Sequence, residues 1–356
     1  MRQTNPFHRT IYVTLIGLLS FMPTVDAAQA QTGFEGKTIH FVVNFSAGGA
    51  VDSFFRLLAP VLTKHVPGNP RIVIENRAGA GGRLAASYLY NVAKPDGFTI
   101  GGMAGLANDF SGTDDAKYNL SHFVWIGAVP QSQVIVARKD LGIKSPTDFA
   151  SKQIILAEVG NNFIGSALAF RMIGAHLKRV SGYPGQANTI QAIRQGEANV
   201  TDIGAPFFLP NREAWKREGV FDAILQRGDV LDDDTFARSP LFPDLPTLPE
   251  IIAEVNPKAV NSLEYVAYRM IAASYSVQYA IIAPPNLPAE TNNILRKALA
   301  DTFADPEMIT TLMEKLQLSI NFIPGLQAAA RIEKMRLDVS NNPAALNLLR
   351  DMSNQK

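Results

Sequence analysis

The chain has 356 residues, of which 47% are hydrophobic, and its 33 Lys and Arg nearly balance its 32 Asp and Glu. This length predicts about two domains, and the near-zero charge, without any Lys/Arg-rich run, indicates no nucleic-acid partner. Cysteine is absent, which excludes disulfides, thiolate metal sites, a cysteine nucleophile and a lipidated-cysteine anchor.

The first thirty residues differ from the rest. Basic residues precede an apolar run at 11–22, and Ala28 and Ala30 offer a small-x-small cleavage site. This pattern predicts a secretory signal peptide at 1–30, because the run is shorter than the roughly 20 residues of a membrane helix. An uncleaved anchor is the open alternative. We therefore expect a periplasmic chain that is formally neutral after cleavage.

From Lys37 the sequence alternates β-branched runs with amphipathic stretches. The predicted strands lie at 38–43, 71–75 and 99–103, and the predicted helices between them lie at 53–65 and 84–92. Strands that alternate with helices predict a mostly parallel sheet covered on both faces.

A second unit begins near residue 133. Its predicted strands lie at 133–138, 153–157 and 198–203, its predicted helices at 165–177 and 189–195, and a Gly/Pro-rich connection at 182–185. The less periodic segment 211–262 is expected to decorate this unit. A return strand at 278–283 precedes helices that begin at residue 290, which we expect to pack on the first unit.

These elements predict an α/β fold of two lobes with a ligand cleft between them. Lobe 1 comprises residues 37–137 and 283–356, and lobe 2 comprises residues 138–282.

Two glycine-rich turns follow the first two strands and must open on the same edge of a parallel sheet. Helix N-termini offer unpaired N–H donors and a partial positive charge, so an anion can bind there. Ligands of open α/β sheets bind at this edge. The candidate residues of lobe 1 are Phe45, Ser46, Ala47, Gly48, Gly49, Ala50, Asp52, Gly79, Ala80, Gly81 and Gly82. The alternative is that the first turn has only a structural role and connects a strand to a helix, with Asp52 capping the first turn of that helix.

Lobe 2 offers comparable turns at the opposite side of the cleft. The candidate residues are Gly160, Asn161, Asn162, Phe163 and Tyr183.

The residues give no support to catalysis or to a cofactor. The five histidines lack paired metal-ligand spacing, and no serine lies in a G-x-S-x-G motif. The second turn lacks the G-x-G-x-x-G spacing of a dinucleotide site. We predict no catalytic residue, no metal and no cofactor.

Seven short motifs occur in order along the chain: FSAGGAVD at 45–52, ENRAGAGG at 75–82, KPDGF at 94–98, GYPG at 182–185, QGEA at 195–198, RSPLFPDLPT at 238–247 and APP at 283–285. Together they resemble the substrate-binding receptors of the tripartite tricarboxylate transporters. The resemblance implies a type II periplasmic binding protein fold whose strand-to-helix loops bind carboxylates through backbone donors and water.

Carried onto this chain, the resemblance adds Ala205 and Pro206 as lobe 2 contacts. Two positions depart from the family pattern: Val51 replaces a common threonine, and Phe163 replaces a small or hydroxyl residue. Phe163 could favour an apolar or aromatic acid.

The sequence thus predicts a monomeric solute receptor that closes around a small di-, tri- or aromatic carboxylate and presents it to integral membrane transporter subunits. A ligand sensor that docks on a receptor kinase is the first alternative. A periplasmic enzyme with a cryptic site is the second.

Overall fold

The structure is a computed structural model that describes residues 33–107, 117–159, 164–231, 233–318 and 321–354. The predicted signal peptide and the predicted ligand turn Gly160, Asn161, Asn162 and Phe163 lie outside the described residues. Within the described ranges, no helix is both long enough and apolar enough to cross a membrane.

The described strands, in chain order, are β1 (Thr38–Val43), β2 (Arg71–Asn76), β3 (Thr99–Ala104), β4 (Val124–Val129), β5 (Gln133–Arg138), β6 (Gln153–Val159), β7 (His176–Tyr183), β8 (Val200–Gly204), β9 (Phe221–Gln226), β10 (Asp229–Val230), β11 (Phe236–Ala237), β12 (Tyr279–Ala283) and β13 (Ile323–Pro324).

The described α-helices, in chain order, are α1 (Ala50–His65), α2 (Arg83–Asn91), α3 (Ile164–Met172), α4 (Gln186–Gln195), α5 (Ala205–Glu218), α6 (Leu248–Val255), α7 (Leu263–Ser274), α8 (Ala289–Ala304), α9 (Pro306–Leu316), α10 (Gly325–Asn341) and α11 (Pro343–Asn354).

Two large sheets form the cores of two lobes. The first sheet has the strand order β13-β4-β12-β3-β1-β2, and the second has the order β7-β6-β8-β5-β9. In the first sheet, β1 lies parallel to β2 and β3, whereas β12 runs antiparallel to both β3 and β4. In the second, β6 lies parallel to β7 and β8, and β5 runs antiparallel to β8 and β9. The two-lobed α/β architecture is confirmed, with mixed sheets in place of the mostly parallel ones expected.

Both faces of the first sheet are covered by helices. Ile39, Phe41 and Val43 of β1 point into the core that α1 shares with α8, and Val42 points into the core on the α2 side. The run TIHFVV suits this position because β-branched and aromatic side chains pack well on a sheet that is buried on both faces. The turns that leave β1 are thereby held on a rigid support.

The second lobe contains strands that the periodicity did not predict. The expected helix 165–177 ends as α3 at Met172, and Gly174, with a φ of 83°, precedes the edge strand β7. No residue of β7 is fully buried, and exposed residues alternate with partly buried ones only over its first four positions. An edge strand has a solvated face and therefore a weak apolar signal. Strand β9 lies inside the segment that is expected to be decoration. In the first sheet, β4 has no predicted counterpart.

The expected lobe boundaries cut through two strands. The boundary at residue 137 falls within β5, which pairs only with strands of the second sheet, and the boundary at residue 282 falls within β12 of the first sheet. The chain crosses between the sheets at residues 130–132 and near residue 278. Gln131 donates its backbone N–H to the carbonyl oxygen of Tyr275 over 3.0 Å, so the two crossings are joined.

The C-terminal helices divide between the lobes. Helices α8 and α10 contact β4 of the first sheet, as expected. Helix α11 instead packs on α7 and α3, where Ala345, Leu349 and Met352 enter the core of the second lobe. Because α11 belongs to the second lobe, the chain passes between the lobes a third time.

Candidate functional site

The first glycine turn lies at the carboxyl end of β1 and leads into α1. Gly48 donates its N–H to Asp52 Oδ2 over 2.8 Å. No acceptor in the described part of the chain takes the neighbouring N–H groups, which belong to Ser46, Ala47, Gly49 and Ala50. These residues and Phe45 are exposed. The turn therefore presents free donors at the positive end of a helix of 16 residues.

Asp52 is buried beneath this turn and holds it in place through hydrogen bonds. Its carboxylate also accepts hydrogen bonds from Arg56 Nε and Asn76 Nδ2, both over 2.8 Å, and Asn76 Nδ2 reaches the Phe45 carbonyl oxygen over 2.8 Å. Burial alone would raise the pKa of Asp52, but the hydrogen bonds from Arg56, Gly48 and Asn76 lower it. Asp52 is 2% exposed, so its expected role as a direct ligand contact gives way to that of a positioning residue.

The second glycine turn meets the first through Asn44. A Cβ built on Gly82 would lie 2.4 Å from Asn44 Nδ2, so the two turns are in close contact. Asn44 also exchanges two hydrogen bonds of 2.9 Å with the backbone of Ala104, at the end of β3. Gly79, Ala80 and Gly81 are exposed beside it. The structure thus brings together both turns predicted for lobe 1.

Of the residues predicted in lobe 2, three are described. Ala205 and Pro206 begin α5, and no side chain caps that helix start. Tyr183 ends β7, where its hydroxyl donates to Glu197 Oε2 over 3.3 Å, so this hydroxyl already has a partner within the protein. The predicted turn at 160–163 lies outside the described residues.

A cavity of about 420 Å³ lies between the lobes beside the first crossing. On the lobe 1 side it is lined by Phe54, one helical turn after Ala50, and on the lobe 2 side by Ala205 and Pro206. Its polar lining residues include Asp229. This volume is within the range of about 300 to 1,000 Å³ that is typical of small-molecule sites.

The second lobe also holds a buried polar cluster that the sequence did not indicate. Arg179 Nε donates to Glu158 Oε2 over 2.8 Å, Ser166 Oγ donates to Asp202 Oδ2 over 2.6 Å, and the Arg227 guanidinium contacts Asp202. Burial raises the pKa of Glu158 to about 7, against the lowering effect of Arg179. The cluster fixes the ends of β6 and β8, from which the lobe 2 turns depart.

Sequence reasoning found the turns but missed the groups that shape the site. Asn44 stood next to the first motif, and its place at a strand end was the available signal. Nothing near Asp229 or Ser132 in the sequence pointed to the cavity, because they meet only through the crossing of the chain between lobes. Among the described residues, no cluster of three or more His, Asp or Glu could hold a metal ion.

Two joined α/β lobes with a cavity between them define a two-lobed periplasmic binding protein fold. BugD, a periplasmic binding protein, shares this fold with a TM-score of 0.63 and 21% identity over 89% of this chain and 97% of its own. MatC from Rhodopseudomonas palustris, solved with bound malate, has a TM-score of 0.62 and 21% identity over 87% of this chain and 99% of MatC. A TctC solute binding protein from Polaromonas has a TM-score of 0.62 and 17% identity over 87% of this chain and 98% of its own.

Sequence comparison points the same way. A UPF0065 protein of Agrobacterium vitis is 25% identical over 308 residues, which cover 84% of this chain and 80% of that protein. A UPF0065 protein of Cupriavidus necator is 41% identical over 78 residues, which cover 22% of this chain and only 23% of that relative. No family model matches the chain. The predicted resemblance to the receptors of tripartite tricarboxylate transporters is confirmed.

Proposed function

We propose that this protein is a periplasmic receptor that binds a small carboxylate between its lobes and delivers it to the membrane subunits of a transporter, without catalysis. The observation that carries the proposal is the set of free N–H groups at the start of α1, at Ser46, Ala47, Gly49 and Ala50. An anion there gains charge-assisted hydrogen bonds and a favourable helix dipole. The bound malate of MatC supports the same ligand class.

The energetics suit a receptor that must also release its ligand. Micromolar affinity corresponds to about −8 kcal/mol. A few charge-assisted hydrogen bonds of about 1.5 to 3 kcal/mol each, together with apolar burial, can supply it after the costs of ordering. Closure of the lobes about the segments that cross between them would bury the ligand and create the surface that the transporter subunits recognise. Delivery across the periplasm agrees with the export signal predicted at 1–30.

A thermal-shift screen of the mature protein against mono-, di- and tricarboxylates, aliphatic and aromatic, tests the proposal. A ligand at about 100 times its Kd should stabilise the fold by about 2.7 kcal/mol.

A single-donor variant makes the screen specific. Ala50→Pro removes one N–H at the first position of α1, where proline is tolerated, and Gly49 already has the extended φ of −80° and ψ of 170° that a following proline requires. Leu263→Pro is the matched control at the start of α7, because Ser262 has a φ of −84° and a ψ of 163°. We expect Ala50→Pro to weaken the binding of the identified ligand about tenfold and Leu263→Pro to leave it unchanged. Equal binding by both variants, or no stabilising carboxylate, contradicts the proposal.

A further inference from the structure

The end of α9 joins the core of the other lobe through side chains alone. Helix α9 packs on α1 and α8 of lobe 1, where Met308 and Leu312 are buried in the core. Leu318, just beyond the end of this helix, is 6% exposed and is buried in the core that α4 and α5 share with the second sheet. Leu316 packs against both cores. Leu318 thus follows a helix of lobe 1 but packs in lobe 2.

The backbone fixes the place of Leu318 relative to lobe 1. Gln317 ends α9 with a φ of 52°, and the N–H of Leu318 donates to the carbonyl oxygen of Leu312 over 3.2 Å. Further along the chain, Ile323 of β13 pairs with β4 of the first sheet. Leu318 therefore lies between two elements that belong to lobe 1, and its side chain must move with that lobe.

This contact differs in kind from the segments that cross between the lobes. Those segments are covalent and persist in every conformation, whereas an apolar contact can form and break. Leu318 also lines the cavity between the lobes, as do Ala205 and Pro206 at the start of α5. Separation of the lobes at this cavity would draw Leu318 out of the lobe 2 core and expose it to water.

We propose that Leu318 is an apolar latch: its burial in lobe 2 favours the closed arrangement of the lobes, and it leaves that core when they open. Exposure of a buried leucine side chain lowers the ratio of open to closed forms at least about tenfold. The latch acts before any ligand is present, so it sets the fraction of the protein that is open to a ligand. This inference goes beyond the proposed function and can fail while carboxylate binding is confirmed.

The test measures distances between the lobes in the ligand-free mature protein. The chain contains no cysteine, so Gln191→Cys on α4 and Ala300→Cys on α8, both at exposed positions, place one nitroxide label on each lobe. Double electron–electron resonance then gives the distribution of distances between the labels. In this labelled protein, we expect Leu318→Ala to raise the ratio of open to closed forms at least about tenfold, which appears as growth of a second distance population.

Two further variants separate the latch from a general loss of stability. Leu89→Ala is the matched control, because Leu89 is fully buried in lobe 1 on the α2 side of the first sheet. It should lower the thermal midpoint and leave the distance distribution as in the wild type. Leu318→Val removes a single methylene, so it should fold even if Leu318→Ala does not, and it should raise the ratio about fourfold. A wild-type distribution in the folded Leu318 variants, or an equal change in Leu89→Ala, overturns the inference.

Discussion

The close contact between the two glycine turns requires that residue 82 has no Cβ atom. Gly82 has a φ of 96°, and a Cβ there would meet Asn44 Nδ2 at 2.4 Å. Gly81 has a φ of 66°, but a Cβ there would meet nothing within 4 Å. Alanine at either position has the conformational cost of a positive φ, but only alanine at Gly82 also has the steric cost of a contact with Asn44.

We expect Gly82→Ala to lower the free energy of unfolding by at least about 2 kcal/mol and to weaken ligand binding, since it displaces Asn44 from the end of β1. Gly81→Ala should cost only about 1 kcal/mol, which is the conformational penalty alone. Urea unfolding of both variants measures the difference. Equal destabilisation would mean that the contact between the turns is not tight.

At this scale the sequence could predict the donors but not their supports. The free amides of Ser46 and Gly49 follow from a glycine turn at a strand end, because helix starts always leave donors unpaired. The engagement of Asp52 with Asn76 could not be predicted, because the two side chains come from different units of the chain. Asp229 and Ser132 are likewise brought together only by tertiary structure.

Among the elements, the strands with clear apolar runs were predictable and the edge strand was not. Strand β1 has the predicted bounds, whereas the residues of β7 begin inside a predicted helix and end inside a predicted connection. The solvated side of β7 carries Lys178, and the next residue, Arg179, is paired with the buried Glu158. Two consecutive polar residues weaken the two-residue period. Strand β12 is antiparallel to its neighbours in the first sheet, and β5 is antiparallel to its neighbours in the second. These directions depend on how the chain crosses between the lobes, and local periodicity carries no information about the crossings.

Arg179 joins elements that the sequence keeps apart. It donates to Glu158 on β6 and to the carbonyl oxygen of Met352 on α11, the latter over 2.9 Å. Burial is the largest influence and raises the pKa of Glu158 to about 7; Asp202 also raises this pKa, whereas Arg179 and Arg227 lower it. A pKa above the ordinary 4.5 means that the folded state favours the protonated carboxyl.

This burial predicts a pH dependence of stability. The contribution of Glu158 is complete below its ordinary pKa and is lost as the pH rises through about 7, so the free energy of unfolding should fall by up to about 3 kcal/mol between about pH 5 and about pH 8. Glu158→Gln should flatten this change, and Glu314→Gln, at an exposed helical position, should not. Denaturant unfolding of the wild type and both variants across this pH range measures the free energy of unfolding. Parallel pH profiles for wild type and Glu158→Gln would contradict the prediction.

For the whole molecule, the two-lobed plan follows from the alternation of strands and helices, and the crossings define the cleft. The crossings at residues 130–132 and near residue 278 are tied together by the hydrogen bond from Gln131 to Tyr275. The same edge of both sheets, where the chain crosses between them, carries the glycine turns, the start of α5 and the cavity. Local patterns predicted the lobes, but only the folded chain shows where they join.

The central claim is that the amides of the first turn receive a carboxylate. The most direct measurement is a titration of the isotopically labelled mature protein with the best carboxylate from the screen, followed by backbone amide chemical shifts. The account predicts downfield proton shifts for Ser46, Ala47, Gly49 and Ala50 as they form hydrogen bonds. Gly48 should shift little, because Asp52 already accepts its N–H. Saturable binding that leaves these four amides unperturbed would contradict the claim.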